Sequence, residues 1–276
     1  MKNPLYQIQT NKIAKSPKLA LIADYILANT EQIQFMTITV LAQKTATSEA
    51  TVLRFCRDIG YNGYSDFKMA LALELNHLKF KSNSLGQRKD DIPNFATECA
   101  INSLKDTLSL IDREQIIRIC NLIHHSKIIH CIGVAASSIV ANYLCYRLIR
   151  IGKTALMHTD THIAMMQSIH PNIDDLWFAI SSSGSTREII EVANSLKKNH
   201  KQIVAISNIS NSPLGNISTE VLVAANPEGP LTGGALASKV GALLIVDILI
   251  NEMIKIYPDY SCLANNTAEV TVDLLL

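Results

Sequence analysis

The chain has 276 residues, of which 48% are hydrophobic and 18% charged, a composition typical of one large or two ordinary soluble domains. Its six cysteines form no C-x-x-C pair and several lie in apolar runs, which argues against a zinc site and predicts reduced thiols in a cytosolic protein. The longest apolar stretch, residues 235–250, is interrupted by a serine, a lysine and an aspartate, so we predict no membrane span.

Charge is distributed unevenly between the two ends of the chain. Residues 1–89 contain 12 Lys and Arg against 6 Asp and Glu, whereas residues 90–276 contain 13 against 18. A mild basic excess is often no more than a solvated surface, but it is also typical of a segment that binds nucleic acid. The N-terminal third is therefore the candidate for nucleic-acid binding.

Three short helices are predicted in this basic segment. Ser16-Pro17 starts the first, and apolar residues recur after it at helical spacing. The second runs through residues 40–44, and the third opens at Ser48 after the tight turn Thr45-Ala46-Thr47. The third helix directs three apolar residues inward: Val52, Phe55 and Cys56. Two short helices joined by a tight turn favour a helix-turn-helix, although such pairs also occur in all-α domains that never meet DNA.

The stretch from Lys79 to Asp91 is polar and predicts a linker. Helices are expected at about 93–111 and 113–126, and an α/β alternation follows. We expect strands at 128–134, 154–158, 176–181, 202–207 and 220–225, with helices at 136–151, 161–169, 186–200 and 235–256 and a helical turn at 213–217. Because the strands are almost entirely apolar, they predict a parallel sheet covered on both faces. Ligands of such sheets bind beyond the carboxyl ends of the strands.

A run of hydroxyl residues follows the third of these strands, in the sequence Ser181-Ser182-Ser183-Gly184-Ser185-Thr186. Hydroxyls at Ser181, Ser182, Ser183 and Thr186 can donate to anionic oxygens. Gly184 allows the backbone to come close, and a helix that starts near Thr186 adds its free N–H groups. Ser185-x-x-Glu188 alone would be a capping box, but a cap needs only one hydroxyl. The run therefore predicts a loop that binds a phosphate or a polyol, and with no lysine or acid pair beside it in the sequence we interpret it as a binder before a catalyst.

A second serine loop, Ile132 to Ser138, opens a helix directly after the first strand. A dinucleotide-binding fold can begin in the same way. However, this loop lacks the three-glycine pattern, and the first acidic candidate, Asp160, lies further along the chain than the usual partner of a nicotinamide cofactor. We therefore expect no nicotinamide site.

Three segments of the N-terminal third carry a family resemblance. Thr37-Ile-x-x-Leu41-Ala42, the helix from Ser48 to Cys56, and Gly60-Tyr61-x-Gly63-Tyr64-x-x-Phe67-Lys68 closely resemble the N-terminal domain of RpiR-type bacterial transcription regulators. Those proteins join a helix-turn-helix to a sugar-isomerase (SIS) domain, and the serine loops lie where that domain is expected. The resemblance covers most of residues 10–256 and continues through five further segments: Asp160-Thr161-His162, Ser212-Pro213-Leu214, Glu228, Ser238-Lys239 and Asp247.

The resemblance implies an α plus α/β protein, with an all-α helix-turn-helix domain followed by a three-layer αβα SIS domain that has a mainly parallel sheet. The expected domain boundaries are 1–80 for the DNA-binding domain, 81–91 for the linker, 92–257 for the SIS domain and 258–276 for a C-terminal tail. By resemblance the residues expected to contact DNA are Ser48, Thr51 and Arg54 in the major groove, with Arg57 and Lys68 on the backbone. Those expected to bind an effector are Ser137, Ser181, Ser182, Ser183, Thr186 and Glu228.

The chain departs from the family pattern at several positions. Ala46 replaces the usual turn glycine, at a position that favours positive φ, and Ala135 replaces the second glycine of the first serine loop. Lys239 occupies a position where the family usually has arginine, and Ala242 one where it usually has glutamine. Thr232-Gly233-Gly234 replaces a stretch that commonly contains Arg and Ser. The combination Asp160-Thr161-His162 with Ser183-Gly184-Ser185 is similar to regulators that sense N-acetylmuramic acid 6-phosphate.

The resemblance predicts a cytoplasmic, sequence-specific DNA-binding transcription regulator that senses a phosphorylated sugar. It is not expected to be an enzyme or to need a cofactor or metal. Its partners would be double-stranded DNA at an inverted-repeat operator, the sugar phosphate, and further copies of the chain in a homodimer or homotetramer. Two alternatives stay open: a SIS-type isomerase or lyase with Glu228 as base and a histidine such as His162 assisting, and a non-catalytic assembly module. The attached DNA-binding module argues against both.

Overall fold

The computed structural model describes residues 4–10, 16–82, 92–170, 174–225 and 236–272. The chain divides into two compact units, the first ending at Ala96 and the second beginning at Thr97. Each unit has its own buried apolar cluster. No helix in the described ranges combines the length and the hydropathy needed to cross a membrane.

The N-terminal unit is helical throughout its described residues. Its helices are α1 (Pro4–Thr10), α2 (Pro17–Ala28), α3 (Thr30–Ile33), α4 (Ile38–Lys44), α5 (Glu49–Asp58) and α6 (Tyr64–Ser82). Phe55 of α5 and Phe67 of α6 are fully buried and meet edge to face, with ring centroids 6.5 Å apart. The predicted first helix and helix-turn-helix are therefore confirmed as α2 and as the pair α4–α5.

The C-terminal unit alternates helices and strands as predicted. Its helices are α7 (Ile92–Ser109), α8 (Arg113–His125), α9 (Ser137–Arg150), α10 (Thr161–Ser168), α11 (Arg187–Lys198), α12 (Pro213–Ile217), α13 (Leu236–Ile256) and α14 (Asp259–Val272). Its strands are β1 (Ile129–Gly133), β2 (Ala155–His158), β3 (Leu176–Ile180), β4 (Gln202–Ser207) and β5 (Glu220–Val223). All neighbouring strands are parallel, in the order β2-β1-β3-β4-β5.

The sheet is covered on both faces, which is why its central strand β3 is apolar at every position. Alternate strand residues point to opposite faces, so Phe178 joins one buried cluster and Trp177 the other. Helices α8, α9, α13 and α14 contribute to the first cluster, and α10, α11 and α12 to the second. The expected three-layer αβα arrangement is confirmed.

The segment after residue 257, expected to be a tail, contains α14, which packs on the domain. Tyr260 is buried, and its hydroxyl lies 3.0 Å from His124 Nδ1. Thr267 donates a hydrogen bond from Oγ1 to the carbonyl of Arg150 at 2.7 Å. Its sequence predicts a helix only weakly, since Asn265 and Asn266 lie on its exposed face and its apolar residues form only a weak stripe.

Candidate functional site

The hydroxyl run after β3 folds into a compact loop that we call the serine cup, residues Ser181–Thr186. Ser181 is buried and extends the sheet, because its amide donates to the carbonyl of Ile206 in β4 at 3.1 Å. Its hydroxyl lies 2.9 Å from the hydroxyl of Thr186. Ser182 and Thr186 are half-buried and Ser183 is exposed, so the cup opens to solvent. The structure therefore brings four of the predicted effector residues into one loop.

Helix α11 starts one residue later than a capping box at Ser185 would require. Its N-cap residue is Thr186, whose side chain makes no capping hydrogen bond because its hydroxyl is paired with Ser181. Ser185 instead bonds within the loop, to Ser183. The first N–H groups of α11 are thus left uncapped by the residue that usually caps them, and such N–H groups favour an anion.

Gly184 is required by the shape of the cup. It has a φ of +59°, and a Cβ at this position would lie 2.0 Å from Ser212 Oγ and 2.3 Å from Ser212 Cβ. Ser212 is fully buried and caps α12 by accepting from the amide of Gly215 at 3.1 Å. The Gly184 carbonyl accepts from Leu214 N at 2.9 Å, so the cup is tied to the start of α12.

The second serine loop lies at the neighbouring strand end. Gly133, the last residue of β1, pairs in register with Ile180, the last residue of β3. Ala135 adopts a φ of 51°, the left-handed conformation for which the family's glycine is suited. Ser137 is buried in the first turn of α9. Ser137 and the serine cup therefore follow adjacent strands, as expected for residues that share a ligand.

Lys239, for which the sequence predicted no contact, reaches the serine cup. Lys239, in the first turn of α13, is 5% exposed, and its Nζ donates to Ser182 Oγ at 2.5 Å. A buried ammonium beside the cup favours an anionic ligand. No local pattern could have placed this residue, because 57 residues separate the two partners.

A cavity of about 400 Å³ opens between the loop after β1, the loop after β2 and the first turn of α11. Its volume falls in the range of small-molecule sites. Hydroxyl, amide and carboxylate groups line it, and these are the groups that pair with sugar hydroxyls. Its polar lining residues include Ser138, Asn142, Thr159, Asp160, Thr161 and Glu188.

Of three further residues that carry the resemblance, the structure describes Asp160 and His162 but not Glu228. Asp160 caps α10, because its Oδ1 accepts from the amide of His162 at 2.7 Å. The His162 side chain is exposed. Glu228, predicted to bind the effector, lies outside the described residues, as does Thr232-Gly233-Gly234. Within the described residues no three His, Cys, Asp or Glu side chains converge on a possible metal position.

The predicted DNA-contacting residues of α5 lie on the face that points away from the core. Ser48 caps the helix, accepting from the amide of Thr51 at 3.2 Å, and the two hydroxyls lie 2.8 Å apart. The Arg54 side chain is 73% exposed and lies 3.8 Å from Asp58, and Arg57 is also exposed. These positions fit a recognition helix whose opposite face packs inward.

Lys68 has a different environment from the other candidate DNA contacts. Its Nζ donates to the carbonyl of Met36 at 2.9 Å, and the Tyr64 hydroxyl donates to the same carbonyl at 3.1 Å. Burial lowers the pKa of the Lys68 ammonium to about 8. The side chain thus ties α6 to the residue before the α4 cap, and a phosphate contact from it stays a prediction.

Ala46 in the helix-turn-helix turn has a φ of 49°. The turn keeps the left-handed geometry that the family's glycine allows, and alanine adopts it at a cost of about 1–2 kcal/mol. The amide of Thr47 donates to the carbonyl of Ala42 at 2.8 Å and closes the end of α4. The substitution therefore leaves the turn intact.

Comparison with known proteins finds relatives of both units. Residues 2–77 match the helix-turn-helix domain of the rpiR family, and residues 122–251 match the SIS domain. An uncharacterised HTH-type transcriptional regulator of Clostridium perfringens is 30% identical over 256 residues, covering 91% of this chain and 92% of that protein. The HTH-type transcriptional regulator HexR of Pseudomonas aeruginosa is 31% identical over 254 residues, covering 90% of this chain and 88% of HexR.

A solved structure is similar along the whole chain. It is the Vibrio vulnificus NanR protein complexed with ManNAc-6P, which is 51% identical, with a TM-score of 0.89, and the match covers 99% of this chain and 99% of that one. The match therefore extends through both units.

Proposed function

Since the chain belongs to the RpiR family of helix-turn-helix transcriptional regulators with a SIS domain, we propose that its DNA affinity is set by a phosphorylated sugar bound at the serine cup. The observation that carries the proposal is the convergence of the cup hydroxyls, the uncapped start of α11 and the Lys239 ammonium. A phosphate placed there would receive several charge-assisted hydrogen bonds.

We propose ManNAc-6P, N-acetylmannosamine 6-phosphate, as the effector, because the NanR protein that is 51% identical was solved with it. It shares the 6-phosphate and the N-acetyl group with N-acetylmuramic acid 6-phosphate, so the two sugars are competing candidates. The proposed effector contacts are Ser137, Ser181, Ser182, Ser183, Thr186 and Glu228. Phosphate binding by the first five is supported by their positions at adjacent strand ends.

For the DNA-binding unit we propose that Ser48, Thr51 and Arg54 read the major groove and that Arg57 contacts phosphates, in the cytoplasm where bacterial DNA lies. One recognition helix covers too few base pairs for useful specificity, so the operator should be an inverted repeat bound by two copies. Exposed apolar residues on α10 and at its C-cap support pairing of the SIS domains, since they recur every third residue and large apolar patches mark interfaces. They are Ile163, Met166 and Ile169.

A purely regulatory role fits the chemistry of the cup better than catalysis. The described side chains of the cup carry hydroxyls, and the Lys239 ammonium lies beside them, so these groups do not supply the acid–base pair that sugar isomerisation needs. His162, the histidine considered as an assistant, points to solvent at the start of α10. The protein should therefore release the bound sugar phosphate without having altered it chemically.

The test is a thermal-shift and calorimetric titration with four ligands: ManNAc-6P, N-acetylmuramic acid 6-phosphate, unphosphorylated N-acetylmannosamine and inorganic phosphate. We expect ManNAc-6P to raise the melting temperature and the unphosphorylated sugar to have no effect at the same concentration. Ser183→Ala should lose the shift, whereas Ser185→Ala, in the same loop, should keep it. No shift with either sugar phosphate would contradict the proposal. So would conversion of the sugar at a rate proportional to protein concentration.

A further inference from the structure

Ser182 belongs to a closed ring of hydrogen bonds that includes helix α7. Two chains of contacts start at Ser182, one at its side-chain hydroxyl and the other at its backbone carbonyl. Both end on Ser103 and Thr107, which lie one turn apart on α7 and are buried. The serine cup is thus joined by polar contacts to the helix through which the chain enters the SIS domain.

The first arm runs through α13. Lys239 donates from Nζ to Ser182 Oγ at 2.5 Å. Two residues earlier, the carbonyl of Ala237 accepts from Ser103 Oγ at 2.5 Å. Ala237 and Lys239 lie in the same first turn of α13. A movement of the lysine backbone therefore also moves the Ala237 carbonyl that accepts from Ser103.

The second arm runs through the ends of β4 and β5. The Ser182 carbonyl accepts from the amide of Asn208 at 2.9 Å, and Asn208 Nδ2 donates to the carbonyl of Ala225 at 3.0 Å. The amide of Ala225 donates to Thr107 Oγ1 at 3.0 Å, and this hydroxyl donates to the carbonyl of Ser103 at 2.7 Å. This arm combines backbone groups that follow β3, β4 and β5 with the side chains of Asn208 and Thr107.

Helices α7 and α13 approach closely where the two arms meet. A Cβ on Gly241 would lie 2.4 Å from Thr107 Oγ1 and 3.3 Å from Ser103 Oγ. Buried contacts of this kind shift between discrete arrangements because there is no free space to absorb small displacements. A change at the start of α13 must therefore be accommodated by α7.

We infer that an effector phosphate draws Lys239 away from Ser182, and that the Ala237–Ser103 contact passes this change to α7 and so to the DNA-binding unit. The inference rests on the proposed function and assigns its regulation to named residues. An ammonium binds a phosphate dianion more strongly than a neutral hydroxyl, so the occupied and empty cups favour different positions of the lysine. Helix α7 begins at Ile92, directly after the segment that was predicted as the linker.

The residue that separates coupling from binding is Ser103, because its hydrogen bonds among the described residues go to Ala237 and Thr107 and none goes to the cup. Ser103→Ala removes the hydroxyl that bonds to Ala237 and leaves every cup residue in place. Its matched control is Ser109→Ala on the same helix, since the exposed Ser109 hydroxyl donates only within α7, to the carbonyl of Asp106 at 2.6 Å.

The experiment measures the dissociation constant for ManNAc-6P, and that for a duplex selected by the protein from random DNA, with and without saturating ManNAc-6P. In the wild type and in Ser109→Ala we expect ManNAc-6P to change DNA affinity by about tenfold, within the usual range of allosteric coupling. In Ser103→Ala, ManNAc-6P and DNA should each bind as in the wild type when tested alone. The change in DNA affinity that ManNAc-6P causes should fall below about twofold. Hydrogen exchange should show α7 amides responding to ManNAc-6P in the wild type and less in Ser103→Ala.

The outcomes separate this inference from the function it rests on. Failure of the wild type to bind ManNAc-6P contradicts the proposed effector and, with it, this inference. Binding with an unreduced coupling in Ser103→Ala overturns the inference alone, and so does an equal loss in Ser109→Ala. If Ser103→Ala does not fold, hydrogen exchange in the wild type decides. Exchange rates of α7 amides that are unchanged by ManNAc-6P overturn the inference.

Discussion

The two candidate sites are built in opposite ways. The recognition helix carries its side chains on an outer face, so Arg54 is 73% exposed while Phe55 beside it is buried in the core. The serine cup is made from residues that also hold the fold, since Ser181 is 1% exposed and Gly184 packs on the capping residue Ser212. Substitutions on the outer face of α5 should therefore change binding alone, whereas most substitutions in the cup should change binding and stability together.

The largest effect is expected from Gly184→Ala. The new methyl group meets Ser212 at 2.0–2.3 Å and the backbone has a φ of +59°. Backbone strain and overpacking together should lower the free energy of unfolding by about 2–5 kcal/mol. Urea denaturation measures the loss, and Gly63→Ala in the N-terminal unit is the control, because its nearest neighbour would be 4.0 Å away. Equal stability of the two variants would contradict the account of the cup.

Arg54→Ala tests the other side of the comparison. Loss of a base-edge contact should weaken binding to the selected duplex by about 1–3 kcal/mol. Stability should change by no more than about 0.5 kcal/mol, because the Arg54–Asp58 pair is exposed. Arg113→Ala on α8 removes an arginine of similar exposure from the SIS domain and should leave DNA affinity unchanged. Unchanged DNA affinity in Arg54→Ala would remove Arg54 from the recognition role.

Acid should destabilise the SIS domain through two buried histidines. His130 stacks on Trp177 with centroids 4.2 Å apart, and its Nδ1 lies 2.8 Å from His158 Nε2. Burial and the neighbouring His130 lower the pKa of His158 to about 4, and burial lowers that of His130 despite the facing Asp175. Both rings are neutral in the folded protein but take up protons in the unfolded chain below its ordinary histidine pKa.

The free energy of unfolding should therefore fall as the pH is lowered from about 6.5 towards 4. The chain has a single tryptophan, which lies in this stack, so its fluorescence follows unfolding of the SIS domain specifically. His158→Gln should flatten the pH dependence between these limits. A stability that is constant or that rises on acidification would show that the histidines are not held neutral.

The smallest effect is expected from Ala46→Gly. Glycine relieves the left-handed strain at a φ of 49° but adds freedom to the unfolded chain, so the net gain should be at most about 1 kcal/mol. Ala135→Gly, at a φ of 51°, should give a similar gain in the other unit. A loss of stability in either variant, measured by urea denaturation, would contradict the assigned turn geometry.

The positions of strands and loops could be predicted because they depend on local patterns. Five apolar runs gave five parallel strands, and the rule that ligands bind at carboxyl ends then placed Ser137 and Ser181 at one edge of the sheet. The positive φ of Ala46 followed from the glycine that relatives have there. In each case a short segment contains all the information that its conformation requires.

The contacts that set the chemistry of the cup could not be predicted in this way. Lys239 meets Ser182 across 57 residues, and Thr107 meets Ala225 across 118. The start of α11 near Thr186 was predicted, but the pairing of the Thr186 hydroxyl with Ser181, which leaves the helix without a side-chain cap, was not. Such pairings depend on how elements pack and leave no periodic signal in the sequence.

The central claim is most directly tested by titrating ManNAc-6P into a complex of the full-length protein with a fluorescent duplex that it has selected, and measuring the DNA dissociation constant by anisotropy. The account predicts an approximately tenfold change in the wild type and in Ser185→Ala, no change in Ser183→Ala, and complete recovery of unaltered ManNAc-6P. A DNA affinity that is independent of ManNAc-6P at concentrations that saturate the SIS domain would contradict it.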